Sequence, residues 1–216
     1  NNLERFLLSL KDVTTQVLAD KQISSQLLEK ETLLREIHHR VKNNLQIISS
    51  LLYFQAKKTP DHAHAFIELR ERLFAMTLVH EKLYQSKQLS QLPLRDYVQG
   101  LVQMLVNSID GRQNTPVQVE ADDTQLPIEL ALPCGMILCE LLTNVFKYAF
   151  PHPLTGSASV HISRSASLIT IKVLDNGVGL PLGFDLQASG SFGWELIRTL
   201  VAHLHGYIEA ANRPGA

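Results

Sequence analysis

Cysteine is scarce. The 216 residues hold only Cys134 and Cys139, five apart in one apolar helical stretch, a spacing that fits neither a zinc knuckle nor a disulfide framework. Reduced core thiols of a cytoplasmic protein are the expectation. An excess of either charge is missing too: 20 Lys and Arg against 21 Asp and Glu leave a formal net charge of -1. That gives no electrostatic footprint for nucleic acid or an anionic membrane. The longest apolar run, Leu130 to Leu142, is read as too short to span a bilayer, and Pro133 and Glu140 interrupt it. With no signal peptide at the start, a soluble chain is expected, any membrane anchor lying outside it. Proline and glycine are absent from Gln16 to Gln55, so nothing there breaks a long helix.

What is present divides into two patterns. From Leu34, apolar residues recur at helical spacing (Ile37, Val41, Leu45, Ile48, Leu51), and the polar run Lys57 to Asp61, with Pro60, stops that helix. Phe66, Leu69, Leu73, Met76, His80 and Leu83 then alternate spacings of three and four, the seam of a helical bundle. Two long helices with a short loop predict an antiparallel hairpin, and two such hairpins pairing into a four-helix bundle predict a homodimer. After Pro93 the pattern becomes mixed: a helix over Leu94 to Ser108, a strand near Val117 to Glu120, a helix over Leu130 to Phe150, a hairpin of Val160 to Ser163 with Leu168 to Leu174, and a helix over Trp194 to His205. The fold class expected is α+β multidomain. Its parts are a signalling helix or linker over 1–30, a helical hairpin over 31–90 and an α/β-sandwich domain over 91–216. Arg5 to Lys11 reads as a short strand or, equally, as a plain helical start; Asp12-Val13-Thr14 resembles the triad that often closes a PAS sensor domain, which would make that strand the last of an upstream sensor.

Two constellations carry chemistry. In the segment Glu36 to Gln46, His38 falls on the buried stripe, whereas His39 is turned by about 100° toward Arg40, Asn43 and Gln46. A neutral imidazole is a nucleophile near physiological pH, and the group bonded to its other nitrogen decides which one attacks. Asn43, one turn on, is placed to orient the His39 ring or contact a phosphoryl group. Glu36, three residues before, could hold its tautomer or take its proton.

The second constellation lies on the later helices. Glu140, Asn144 and Lys147 recur at four and three on one helical face, offering Mg²⁺ an oxygen ligand and phosphate a cation. An ordinary amphipathic helix with its polar side wet fits the same residues. Asp175-Asn176-Gly177-Val178-Gly179 follows an apolar strand, where glycine permits positive φ and close backbone approach, although a plain turn has the same pattern. Gly190-Ser191-Phe192-Gly193 opens a helix, whose N-terminal amides suit phosphate oxygens.

His39-Arg-Val-Lys-Asn-Asn-Leu-Gln resembles the phosphoacceptor helix of the histidine kinase subgroup with a His-Arg-x-x-Asn motif, and Val79-His80-Glu81-Lys82-Leu83-Tyr84 resembles its second helix. Glu140 to Ala149, Asp175 to Gly179 and Gly190 to Gly193 resemble the N, G1 and G2 boxes of the GHKL ATPases. The resemblance implies ATP and Mg²⁺ as cofactors, phosphorylation of His39, Mg²⁺ on Asn144, and Glu140 holding a metal-bound water or acting as base. It further implies Asp175 on the adenine amino group, and a nucleotide site that includes Lys147, Tyr148, Gly177, Gly179, Gly190 and Gly193. A mobile lid over about Pro181 to Ser189, a response regulator receiver domain as partner and an upstream sensor domain follow from it too. Two departures stand out: Trp194 replaces an aliphatic residue, and the chain stops at Ala216 where the family continues into another strand. An ATP-hydrolysing GHKL clamp, or a non-catalytic dimeric scaffold, is the alternative function.

Overall fold

A computed structural model describes residues 14–85, 91–108, 115–122, 124–151, 155–165, 168–187 and 190–212. The stretch read as a possible sensor strand, Arg5 to Lys11, lies outside them. Helix α1 runs from Thr14 to Lys58, a 3₁₀ turn at Pro60–His62 reverses the chain, and α2 (Ala63–Gln85) returns along α1. Thr59 closes the first helix, its amide and its hydroxyl both bonding the Gln55 carbonyl, before Pro60 removes the next donor.

The remaining elements build a two-layer unit. Strand β1 (Gln91–Pro93) pairs antiparallel with β3 (Gln125–Pro127), placing Leu92 beside Leu126. Between them come α3 (Leu94–Ser108) and β2 (Val117–Ala121). Helix α4 (Ile128–Asn144) runs on through a π-turn at Val145–Ala149. The main sheet has the order β2, β4, β5: β4 (Ala158–Ser165) lies parallel to β2 and antiparallel to β5 (Leu168–Asp175), and α5 (Phe192–His203) ends the described regular structure. On β4, Ala158, Val160 and Ile162 alternate inward, Val160 and Ile162 joining the core of α3 and α4 and Ala158 packing with Val145, Ala149 and Phe150. The short strands β1 and β3 were not read from the sequence; each is three residues ending in proline.

Helix α2 differs from expectation. Its buried residues include Glu71, Arg72, Ala75, Leu78 and Val79, and Leu69 of the expected seam is exposed. The helix has two partners: α1 on one side, and α3 and α4 on the other, so the stripe facing α3 and α4 is buried most deeply. Tyr97 of α3 reaches across to donate its hydroxyl to the Ala75 carbonyl at 3.1 Å. Gly135 of α4 leaves room for that ring, since a methyl group there would collide with it.

The apolar run read as too short for a bilayer is part of a longer one. Ile128–Ala149 has the length and composition of a membrane span, yet Ala131, Leu138, Cys139 and Leu142 are buried in the core, as befits the central helix of a packed domain. Cys134 and Cys139 are both free and buried, and burial pushes their thiols up to about 11 and about 12. That is the inert behaviour expected of core cysteines.

Candidate functional site

The two adjacent histidines of α1 take opposite environments. His38 is 8% exposed and its Nδ1 lies 3.0 Å from Nδ1 of His80 on α2, whereas His39 points outward. Asn43 reaches back one turn to place its amide nitrogen Nδ2 3.3 Å from His39 Nδ1. The end of that amide decides the reactive nitrogen. An amide oxygen at Nδ1 holds the proton there and leaves a lone pair on Nε2, whereas an amide NH₂ at Nδ1 does the reverse. Glu36, expected beside His39, accepts Arg40 Nε at 2.7 Å. Lys42 and Glu81, 3.1 Å apart, tie the two helices together one turn beyond the His38–His80 pair.

Burial lowers the pKa of His38, and burial followed by the neighbouring His38 lowers that of His80. Both shifts favour the neutral ring in the folded chain. Below about pH 6.5 the unfolded chain binds more protons than the folded one, so the stability contributed by the neutral pair is present above that pH and lost as pH falls through it. Thermal unfolding followed by circular dichroism should give a lower midpoint at about pH 5.5 than at about pH 7.5, and His80→Gln should shrink that difference. A midpoint independent of pH in the wild-type chain would contradict this.

The second cluster forms where α4 meets α2 and the start of α5. Glu68, Arg72, Glu140, Asn144, Lys147 and Gly193 are among the residues lining a cavity of about 120 Å³. Glu140 is 6% exposed. The Arg72 fork grips its carboxylate, Nε on Oε1 and Nη2 on Oε2, the second bond measuring 3.1 Å. Burial disfavours the Arg72 charge, but Glu140 and Glu68 more than offset it and hold the guanidinium above its ordinary value. Lys147 Nζ bonds Glu68 Oε1 at 2.5 Å. Asn144 Nδ2 is buried without a hydrogen-bond partner among the described residues. A buried carboxamide left this way is one that a ligand would satisfy, and a half-turn about its terminal torsion presents oxygen instead. The donor set therefore fits a hard cation beside phosphate.

Glycines shape the rim. A Cβ at Gly193 would stand 2.7 Å from Glu140 Oε2, so α5 begins hard against that carboxylate. Gly177 leaves no room for a side chain over the Ala149 carbonyl, which accepts the Val178 amide at 2.9 Å. Asp175 accepts the Gly177 amide at 3.0 Å, folding the loop back on the end of β5. Gly179 has φ +76, and beside it Asn212 bonds both the amide and the carbonyl of Leu180, at 2.7 and 2.9 Å. Gly190 faces open space. Tyr148 shares the cavity wall but is mostly exposed, whereas Asp175, Gly177, Gly179 and Gly190 stand apart from that cavity. Trp194 packs against Phe184 of the expected lid with the rings tilted by 54° and their centroids 5.4 Å apart, and Arg198 donates to the Leu186 carbonyl at 2.8 Å.

Sequence reading missed Glu68, Arg72 and Phe192 in this cluster. The available signal was a charged i, i+4 pair interrupting the α2 apolar pattern, which looks the same when it is solvated.

Residues 36–109 match the family model described as histidine kinase. Over 200 residues the chain is 34% identical to the sensor histidine kinase PdtaS of Mycobacterium tuberculosis, covering 89% of this chain and 38% of that protein. Over 181 residues it is 31% identical to blue-light-activated histidine kinase 2 of Erythrobacter litoralis, covering 82% of this chain and 52% of that one. The histidine kinase domain of the Erythrobacter litoralis blue-light activated histidine kinase superposes with a TM-score of 0.60 at 28% identity, over 84% of this chain and 85% of that domain. The chain spans between 38% and 52% of the length of these two curated relatives.

Proposed function

Residues 36–109 belong to the histidine kinase family and the chain around them is homologous to sensor histidine kinases; from that premise we propose that this is a sensor kinase core that phosphorylates His39 from ATP and passes the phosphoryl group to an aspartate of a response regulator receiver domain. The observation that carries the reading is the outward His39 beside Asn43 on one helix of a hairpin whose other helix packs on a polar pocket holding an unpartnered Asn144.

The chemistry follows from those residues. A half-turn of the Asn43 amide, bringing its oxygen to His39 Nδ1 in place of the Nδ2 that stands there, would hold the proton on Nδ1; the Nε2 lone pair then attacks the γ-phosphorus in line, forming N–P as the bond to ADP breaks. The Nδ1 proton then leaves, with Glu36 as the candidate acceptor. Asn144, with Glu140 once released from Arg72, would hold Mg²⁺, which supplies charge neutralisation along the phosphates. Lys147 would add a cation, and the amides at the start of α5, near Gly190 and Gly193, would donate to phosphate oxygens. Asp175 would bind the adenine amino group, with Gly177 and Gly179 letting the backbone approach the base.

Homodimerisation through the hairpin is part of the proposal. Ile47, Ile48, Leu51 and Phe54 of α1 are exposed large apolar residues on the half facing α2, and Leu18, Leu27, Leu28 and Leu33 extend the uncovered surface toward the N-terminus. An upstream sensor domain would act through that extension, and the cytoplasm is the compartment that suits free thiols and ATP.

Incubation with γ-labelled ATP and Mg²⁺, followed by a receiver domain, tests the reading. Acid-labile, alkali-stable label that moves to the receiver supports it; steady phosphate release without labelled protein would replace it with an ATPase.

A further inference from the structure

Helix α2 was expected only to complete the hairpin, yet it reaches into the candidate nucleotide pocket. Arg72 neutralises Glu140 through two bonds and Glu68 neutralises Lys147 at 2.5 Å. Arg72 Nη2 also lies 3.8 Å from Glu68 Oε2, and its guanidinium sits 4.8 Å from the Phe192 ring centre at the start of α5. One i, i+4 pair on α2 therefore holds an acid and a base of α4 as well as the head of α5. The space left between these groups is a cavity of about 120 Å³.

Position along the hairpin points the same way. His80 lies opposite His38, the neighbour of His39, and is eight residues beyond Arg72 on α2, about 12 Å along the axis. The pocket is thus docked roughly two helical turns from the level of the acceptor.

We propose that Glu68 and Arg72 form an autoinhibitory latch, holding the nucleotide pocket shut against α2 and away from His39. This rests on the kinase reading. Opening exchanges Arg72–Glu140 and Glu68–Lys147 for contacts to a divalent cation and phosphate, so cation and guanidinium compete for one carboxylate. The guanidinium suits the task because its planar fork meets both oxygens, a geometry that an ammonium lacks. Removing Arg72 leaves Glu140 with an uncompensated charge that is relieved by opening to water, which favours the released state.

The test uses the full chain as wild type, Glu68→Gln, Arg72→Gln and Arg72→Lys. It measures binding of a fluorescent ATP analogue with Mg²⁺, the initial rate of autophosphorylation, and the thermal midpoint as a check of folding. A latch predicts nucleotide affinity raised about tenfold in Glu68→Gln and Arg72→Gln, faster initial labelling in both, and an intermediate effect in Arg72→Lys. If Arg72→Gln fails to fold, Glu68→Gln decides alone, its side chain being only partly buried. Unchanged or weakened binding with slower labelling in folded variants would overturn the latch and make the pair part of the nucleotide site. No nucleotide binding in any form would overturn the kinase reading and the latch with it.

Discussion

His39→Ala should abolish autophosphorylation while leaving ATP binding and the fold intact. The ring faces outward, so its loss should shift stability by no more than about 0.5 kcal/mol. Label falls to background because the neighbouring imidazole lacks this placement: His38 is buried against His80. His38→Ala should give the opposite pattern, costing about 1–3 kcal/mol from a lost buried contact while leaving an acceptor in place. Filter-bound acid-labile label and thermal denaturation of the two variants separate the roles. Label persisting in His39→Ala would move the acceptor elsewhere.

Asn144→Ala should lower Mg²⁺-dependent nucleotide affinity by about 100-fold, the loss of one oriented ligand beside clustered phosphate charge. The fold should hold, because Asn144 Nδ2 has no partner to lose among the described residues, and deleting an unsatisfied buried group removes a cost. Calorimetric titration with a non-hydrolysable ATP analogue, with and without Mg²⁺, measures both terms. An equal, small loss in both conditions would mean that Asn144 is not a cation ligand.

The separation of His38 from His39 was legible because one residue on an α-helix turns the side chain by about 100°, and the structure buries one and exposes the other. The Gly193 position was legible as a glycine pair opening a helix, but its reason, the nearness of Glu140 Oε2, needed the fold. Helix α4 was read to continue uniformly through Phe150, whereas its last turn widens into a π-turn at Val145–Ala149. That change leaves no mark in apolar spacing; such a turn commonly accompanies functional sites. The role of Arg72 was illegible for a different reason. Its partner Glu140 lies 68 positions away, and a single sequence does not encode that proximity in any local pattern.

Asn212 meets the amide and the carbonyl of Leu180 with the two ends of one carboxamide, the way one peptide unit meets another across a sheet. A side chain thus supplies a rung of a ladder with no strand behind it. The glycine loop and the chain 32 residues downstream are clasped at a single point, so a dye attached beside Asn212 would brighten or dim as the loop rearranges.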